Sequence, residues 1–245
     1  MDAPDWLAAA RRICVLSGAG ISTESGIPDY RGPDGVWTRD PDAEKLVTLS
    51  WYLRDPEIRR RSWLLRRELA TADVRPNPGH QALVDLAQQG RLRALLTQNI
   101  DGLHQAAGST DVLELHGTVH QVVCTSCGAR MPIGEVLARV DAGEPDPACP
   151  VCGGVLKTAT VYFGEALDPA VIDAAAQAAA DCDVLLAVGT SLGVHPAAGL
   201  VEVAHAAGAR VVIVNAEPTP YDGLADLVVR ERIGTALPRL LAPPS

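Results

Sequence analysis

Five apolar residues run directly into three small polar ones at Val184-Leu185-Leu186-Ala187-Val188-Gly189-Thr190-Ser191, and a similar apolar run ends a predicted strand at residues 210–214. Short, uninterrupted runs of this kind are typical of strands that helices cover on both faces. Helical patterns at residues 169–180 and 197–207 alternate with the two runs, and alternating βα units predict a parallel sheet. We therefore predict an α/β protein with a Rossmann-like, doubly wound parallel sheet.

Shorter apolar runs predict the other strands of this sheet, at residues 13–16, 92–96, 112–115 and 227–229. Two stretches interrupt the alternation. One is a charged helical stretch in which Pro56 is expected in the first turn of a helix, and the other loses its apolar periodicity altogether. We predict a small domain made of these inserts, residues 37–71 and 119–157, and a large domain made of residues 1–36, 72–118 and 158–245.

Composition restricts the partners. The net charge of −9 over 245 residues disfavours binding to a phosphate backbone, so nucleic acid is not expected as a main partner. The basic run Arg59-Arg60-Arg61 is interpreted as a solvated helix face. The sequence has no run of 18 apolar residues and no basic, apolar leader, which predicts a cytoplasmic protein that does not enter membranes. The oligomeric state stays open.

Four of the six cysteines form two close pairs, Cys124-x-x-Cys127 and Cys149-x-x-Cys152, with 21 residues between them. In a long chain without an export signal, such pairs favour a metal over disulfides, with redox-active thiols as the alternative. Four thiolates complete the shell of one zinc ion and leave no position for a reacting water. We predict one structural zinc, and we expect the insert to unfold without it because no apolar periodicity would hold it together.

A loop rich in small residues begins directly after the first predicted strand, with Gly18-Ala19-Gly20. Small residues there allow the backbone to approach a pyrophosphate. The next glycine of the usual dinucleotide fingerprint is missing, since Thr23 stands in its place, so this motif is weak by itself. Two later strand ends, Gly189-Thr190-Ser191 and Asn215-Ala216-Glu217, add hydroxyl, amide and carboxylate groups that suit phosphate and ribose.

Further polar groups follow two other strands. The run Thr97-Gln98-Asn99-Ile100-Asp101 ends one strand, and His116 follows the next. Ligands of open α/β sheets bind beyond the carboxyl ends of the strands, so these side chains are expected to converge. A lone Asn-Asp pair is usually a turn, but the convergence favours an active site. An imidazole, with an ordinary pKa of about 6.5, can act as a base at neutral pH.

Taken in chain order, the motifs resemble the sirtuin family. The resemblance rests on Gly18-Ala19-Gly20-Ile21-Ser22-Thr23-Glu24-Ser25-Gly26-Ile27-Pro28-Asp29-Tyr30-Arg31, then T-Q-N-I-D-G-L-H, E-L-H-G, the cysteine pairs, F-G-E and G-T-S. It implies an NAD-dependent protein-lysine deacetylase (deacylase), with NAD as co-substrate, one structural zinc, and acylated lysine-containing proteins as partners. The implied products are nicotinamide, O-acetyl-ADP-ribose and the free lysine.

The resemblance also implies residue roles. His116 would be the base for a ribose hydroxyl, and Asn99 would assist in catalysis. The residues implied to hold NAD are Gly18, Ala19, Gly20, Asp29, Tyr30, Arg31, Gln98, Asn99, Ile100, Asp101, Gly189, Thr190, Ser191, Asn215, Glu217 and Ile233. The substrate backbone would be bound as a strand by Val161, Phe163, Gly164 and Glu165, although core packing is an equal alternative for Val161 and Phe163.

The acyl preference is predicted from the helical insert. Sirtuins that remove succinyl or malonyl groups carry a Tyr-x-x-Arg stretch there, whose two side chains hold the acyl carboxylate. In this chain Arg66 matches the Arg, but Trp63 stands at the Tyr position, so the two-point grip is incomplete. We expect deacetylation to exceed desuccinylation. A solvated helix position is the alternative for Arg66.

Three rival functions are considered. A Rossmann dehydrogenase would explain the sheet and the glycines, but not the cysteine pairs. A non-catalytic zinc-ribbon module would explain the cysteines, but not the group around His116. Mono-ADP-ribosyl transfer is closer, because it uses the same activated ribose with another nucleophile. The reaction products discriminate among them.

Overall fold

The computed structural model describes residues 3–30, 32, 35–70 and 73–243. Its larger sheet has six parallel strands in the order β3-β2-β1-β7-β8-β9. These strands are β1 Ile13–Ser17, β2 Leu92–Thr97, β3 Val112–Glu114, β7 Val184–Val188, β8 Arg210–Val214 and β9 Leu227–Val229. A separate antiparallel sheet, in the order β5-β4-β6, contains β4 Gly117–Cys124, β5 Arg130–Pro132 and β6 Leu156–Thr160.

Ten α-helices are found in the described part of the chain. They are α1 Asp5–Ala9, α2 Val36–Arg39, α3 Leu49–Arg54, α4 Pro56–Ala70, α5 Pro78–Gln88, α6 Leu103–Ala107, α7 Ile133–Asp141, α8 Pro169–Ala180, α9 Leu200–Ala206 and α10 Ile233–Leu240. Shorter 3₁₀ helices occupy Ala19–Ser25, Pro41–Val47, Ala197–Gly199 and Asp222–Leu224. Within these ranges no helix is long and apolar enough to cross a membrane.

Helix starts follow the expected chemistry. The Asn77 side chain accepts a hydrogen bond from the Gly79 N–H, and Pro78 occupies the first turn of α5. Asp168 and Pro169 begin α8 in the same way. A side-chain oxygen satisfies a backbone donor that has no partner inside the helix, and proline loses nothing at this position. Local sequence therefore determines where these two helices begin.

Both faces of the large sheet are covered, as predicted. Alternate residues of β1 point in opposite directions, with Ile13 and Val15 in one apolar cluster and Cys14 and Leu16 in the other. Helices α5 and α10 pack on the first face, and α8 and α9 pack on the second. Cys14 and Cys182, the two cysteines outside the close pairs, are buried in the second cluster.

The strand order reverses between β1 and β7. The chain leaves β1 toward α5 on one face and leaves β7 toward α9 on the other. Neighbouring strands whose connections leave in opposite directions open a crevice at their carboxyl ends, which is where ligands of doubly wound sheets bind. The fold therefore places Gly18 and Gly189 at this opening.

The predicted lack of apolar periodicity over residues 119–157 is wrong. The stretch contains α7 and most of the small sheet, and it has an apolar core of its own. Trp63 of α4 packs in that core with residues of β4, α7, β6 and the cysteine pairs, namely Val122, Cys124, Val136, Leu137, Val140, Cys149 and Leu156. Ile133, Val136, Leu137 and Val140 recur at the spacing of a helix, so the sequence did carry a signal for α7 that was overlooked. The pairing of β4 with β6 contains a register irregularity that a local pattern does not show.

Two smaller expectations also need correction. Arg59 is not on a solvated face: it is 9% exposed, and its guanidinium pairs with Asp146 at 2.8 Å and donates to two backbone carbonyls. Arg60 and Arg61 are exposed as predicted. The loop after β1 is not structureless, because residues 19–25 form a 3₁₀ helix that ends at Gly26 with φ of +90°.

Candidate active site

Three glycines bring the ends of β1 and β7 into direct contact. The Gly20 N–H donates to the Gly189 carbonyl at 2.8 Å, and Gly189 has φ of +59°. A Cβ on Gly18 would lie 2.7 Å from Thr190 Cβ, and one on Gly20 would lie 2.7 Å from Gly189 Cα. Side chains are excluded here by space as well as by conformation. The result is a backbone cradle that fits a pyrophosphate.

The missing third glycine has a structural explanation. In the usual fingerprint that glycine allows a helix to pack closely on the strand. Here the chain continues as a 3₁₀ helix, and the Thr23 hydroxyl donates to the Gly20 carbonyl at 2.9 Å. A side chain at this position therefore stabilises the turn.

A cavity of about 400 Å³ opens above the cradle. The predicted residues that line it are Gly18, Ala19, Gly20, Asp29, Tyr30, Gln98, Asn99, His116, Gly189, Thr190, Ser191, Asn215, Glu217 and Ile233. Ile100 and Asp101, which were also predicted, are not among its lining residues, and Arg31 lies outside the described residues. Residues that sequence reasoning missed are Thr23, Glu24, Gly32, Val194, Ala216, Glu231 and Arg232.

Glu24 shows why some lining residues were missed. Its carboxylate accepts from the Gly234 N–H at 2.8 Å and from the Arg232 guanidinium at 3.0 Å. These partners lie more than 200 positions away in the chain. No local pattern in the sequence connects Glu24 with Arg232 or Gly234.

Side-chain hydrogen bonds hold the polar run after β2 in place. The Gln98 side chain donates to Thr190 Oγ1 at 2.9 Å, and Asn99 donates to the Ser22 hydroxyl at 3.1 Å. Ser22 in turn donates to Asp101 at 2.7 Å, and the other Asp101 oxygen accepts from the Leu103 N–H at 2.9 Å. Asp101 therefore positions Ser22 and begins α6, and Ser22 sets the orientation of Asn99.

His116 has a defined tautomer. Its Nδ1 lies 3.0 Å from the Gln98 carbonyl oxygen. A carbonyl can only accept, so Nδ1 carries the proton and Nε2 keeps its lone pair. Burial lowers the pKa of His116 below its ordinary 6.5, while the bond to Gln98 acts in the opposite direction. The residue is therefore a neutral base at the cavity wall.

The predicted substrate segment directly follows β6. The Val161 N–H donates to the His116 carbonyl at 2.8 Å, and Phe163 exchanges backbone bonds with Val47 and Leu49. Val161 and Phe163 are half-buried, and Gly164 is exposed with φ of +92°. The segment is thus hydrogen-bonded both to the helical insert and to the backbone of His116.

A buried ion pair shapes this segment. Lys157 is 5% exposed, and its ammonium donates to the Thr160 carbonyl at 2.7 Å and lies 2.9 Å from Glu165. The same Glu165 oxygen accepts from the Tyr162 N–H at 2.7 Å. Lys157 also lies over the Tyr162 ring, 4.4 Å from its centroid. Together these contacts fold the segment back on β6.

The four paired cysteines form one cluster whose sulfur atoms all lie within 4.8 Å of one another. Two of the distances are 3.5 Å for Cys124–Cys152 and 3.8 Å for Cys127–Cys149. Zinc–sulfur bonds of about 2.3 Å in a tetrahedron require sulfur separations of about 3.8 Å. The cluster therefore fits a zinc ion, and none of its residues lines the cavity.

The two residues predicted to set acyl preference have different surroundings. Trp63 is 1% exposed in the core of the small sheet, and its indole N–H has no partner among the described residues. Arg66 is 7% exposed, so the alternative of a solvated position is wrong. Its buried Nε has no partner within the described ranges. Burial raises the pKa of the Tyr30 and Tyr52 hydroxyls, and the positive charge of Arg66 acts in the opposite direction.

The fold and crevice define a dinucleotide-binding α/β protein that carries a four-cysteine metal module. The profile of the Sir2 family matches residues 18–196. The chain is 63% identical over 231 residues to NAD-dependent protein deacetylase 2 of Streptomyces coelicolor. The aligned region covers 94% of this chain and 96% of that protein. This chain therefore belongs to the Sir2 family, and the predicted resemblance is confirmed.

Solved structures agree. The fold matches Sir2 with a deacetylated p53 peptide and 3′-O-acetyl-ADP-ribose with a TM-score of 0.88, at 32% identity, over 97% of this chain and 95% of that one. It matches Sir2 with a p53 peptide and NAD⁺ with a TM-score of 0.87, at the same identity and coverage.

Proposed function

We propose that this protein is an NAD-dependent protein-lysine deacetylase that acts on acetylated lysine-containing proteins. The observation that carries the proposal is His116, a neutral imidazole with a free Nε2 at the wall of a cavity with a glycine cradle. The relatives with this fold, named as deacetylases or solved with peptide and NAD⁺, support the same activity.

In this proposal the pyrophosphate lies against the backbone at Gly18, Gly20 and Gly189, where no side chain is in its way. Bound NAD would supply an activated ribose that accepts the acyl group while nicotinamide departs. His116 removes the proton from a ribose hydroxyl, and its Nε2 is available because Nδ1 is engaged by Gln98. Asn99, oriented by Ser22, provides an amide beside the same ribose. The proton therefore moves to Nε2, and the protein contributes no covalent bond.

The test is a product analysis. Purified protein is incubated with NAD and one acetyl-lysine peptide, and the mixture is examined by mass spectrometry. We expect deacetylated peptide, free nicotinamide and acetylated ADP-ribose in equal amounts. Transfer of ADP-ribose to protein would favour the transferase alternative, and NADH absorbance would favour a dehydrogenase. Absence of all three reactions would overturn the proposal.

A second candidate activity is removal of an acyl group that carries its own carboxylate. The predicted preference for acetyl rests on the missing Tyr, but a buried guanidinium without an ion-pair partner among the described residues is costly. A succinyl or malonyl carboxylate would supply that partner. The measurement is kcat/KM for acetyl and succinyl versions of one peptide, with Arg66→Met and the exposed Arg60→Met as control. A selective loss of succinyl activity in Arg66→Met would support this activity, and equal effects would exclude it.

We also infer that the two sheets belong to separate domains and that the acyl peptide enters between them. The small sheet begins at Gly117 and ends at Thr160, so the second insert is slightly longer than the predicted residues 119–157. Four thiols that hold zinc need a reducing compartment, which supports the cytoplasm as the location.

A further inference from the structure

Three aromatic rings form a row between the cavity and the predicted peptide segment. The centroids of Tyr30 and Trp37 are 4.9 Å apart with the planes at 38°, and those of Trp37 and Phe163 are 5.4 Å apart at 56°. Both distances are in the range of favourable aromatic contacts. Trp37, on α2, is therefore the one ring that touches both of the others.

One end of the row belongs to the cavity. Tyr30 lines it together with Asp29 and His116. Two backbone bonds connect this end to α2, from the Val36 N–H to the Asp29 carbonyl at 2.9 Å and from the Trp37 N–H to the Tyr30 carbonyl at 3.0 Å. A displacement of Trp37 therefore displaces the cavity wall at Tyr30.

The other end belongs to the peptide segment. The Phe163 N–H donates to the Val47 carbonyl at 2.8 Å, and its own carbonyl accepts from the Leu49 N–H at 3.0 Å. These bonds occupy both backbone groups of Phe163, while the next residue, Gly164, is exposed. A peptide that pairs with this segment restricts the motion of the Phe163 ring.

We propose that Trp37 is a positioning residue that couples peptide binding to cofactor binding. When a peptide restrains Phe163, the stacked Trp37 and Tyr30 rings are restrained as well. The protein then loses less conformational entropy when the cofactor binds. The coupling is reciprocal. Because it passes through two aromatic contacts, its expected size is a threefold to tenfold gain in affinity, roughly what such contacts contribute. This inference rests on the proposed function.

The test uses ADP-ribose and an acetyl-lysine peptide, a pair that binds without reacting because nicotinamide is absent. Isothermal titration calorimetry gives the Kd of ADP-ribose with and without saturating peptide. We expect wild-type protein to bind ADP-ribose about threefold to tenfold more tightly with peptide. In Trp37→Ala that ratio falls to about one, while each ligand alone binds within about twofold of wild type.

Two variants serve as controls. Trp37→Phe keeps an aromatic ring and should recover at least half of the coupling on a logarithmic scale, which a loop loosened by truncation alone would not explain. Trp51→Ala removes a tryptophan that is 39% exposed on α3 and stacks with Arg54, outside the cavity, and should keep the full ratio. A wild-type ratio of one, or an unchanged ratio in Trp37→Ala, overturns the coupling. A protein that binds neither ligand contradicts the proposed function instead.

Discussion

At the scale of single residues, the chemistry depends on which hydrogen bonds are already made. The Gln98 carbonyl accepts a hydrogen bond from Nδ1–H of His116, which leaves Nε2 available for the proposed role as base. Both oxygens of Asp101 are engaged by Ser22 and Leu103. The two side chains therefore differ in what they leave available, since His116 keeps a free nitrogen at the cavity and Asp101 supports its neighbours.

We expect His116→Ala to fold normally and to lose deacetylation by a factor of about 10² to 10⁴, the usual contribution of a general base. The side chain is half-buried and hydrogen-bonds the Gln98 carbonyl, so the fold should tolerate its loss. Steady-state rates on an acetyl-lysine peptide measure the effect, with ADP-ribose affinity as the control for an intact cavity. Unchanged turnover would refute the role of His116 as base.

Lys157 gives a prediction about stability. Its removal in Lys157→Met leaves Glu165 without its cation and the Thr160 carbonyl without a donor in a buried setting. Breaking one partner of such a pair should lower the free energy of unfolding by about 2 to 4 kcal/mol. Lys45→Met is the matched control, since Lys45 pairs with Asp42 at the surface and should cost less than about 1 kcal/mol. Denaturant titrations of both variants decide it, and equal losses would contradict the prediction.

At the scale of elements, the small sheet and α7 form a unit whose stability comes from two sources. Cys124 and Cys149 are both metal-ligand candidates and members of the apolar core around Trp63. The sequence predicts that this unit unfolds without metal because it lacks apolar periodicity, but the structure gives it an apolar core. Metal loss should instead loosen the unit while the large sheet keeps its own two cores.

We therefore expect the purified protein to contain one zinc per chain and Cys149→Ser to lose it, because three thiolates leave the tetrahedral shell incomplete. Metal content is measured directly, and hydrogen exchange locates the change. Exchange should rise in β4, β5 and β6 and stay slow in β1 and β7. Cooperative loss of protection throughout the chain would contradict this separation, and a fully active protein without metal would exclude a structural zinc.

At the scale of the whole molecule, two buried imidazoles connect α5 to α6 beneath the cavity. The His80 and His104 rings meet edge to face at 5.0 Å, and His104 Nε2 lies 2.8 Å from the Ser17 hydroxyl at the end of β1. Burial and, to a smaller extent, the neighbouring His80 lower the pKa of His104 to about 3. The folded protein therefore keeps this imidazole neutral.

Acid should destabilise the whole fold through His104. Unfolding restores the ordinary pKa of 6.5, so the unfolded state takes up a proton first as the pH falls. The stability contributed by neutral His104 is complete above pH 6.5 and is lost between about 6.5 and 3, by up to about 5 kcal/mol. Denaturant titrations at several pH values should show a smaller loss in His104→Gln than in wild type. The exposed His205→Gln should behave like wild type, and equal slopes in all three would disprove the assignment.

The sequence by itself determined the βα framework. The bounds predicted for α8, β7, β8 and β9 coincide with those of the structure, because strands buried on both faces and helices with side-chain caps are specified by neighbouring residues. The cysteine spacing determined the metal cluster for the same reason, since two ligands on each tight turn need only local geometry.

Only the tertiary structure decided which polar groups are used and which charged residues are buried. Glu24 accepts a hydrogen bond from Gly234, more than 200 positions away in the chain. Both oxygens of Asp101 accept hydrogen bonds from Ser22 and Leu103. Arg59 and Arg66 look like a solvated helix face in the sequence, yet both are buried. A charged helical pattern does not show which residue faces a neighbouring element, because burial of a charge depends on partners and walls that distant segments supply.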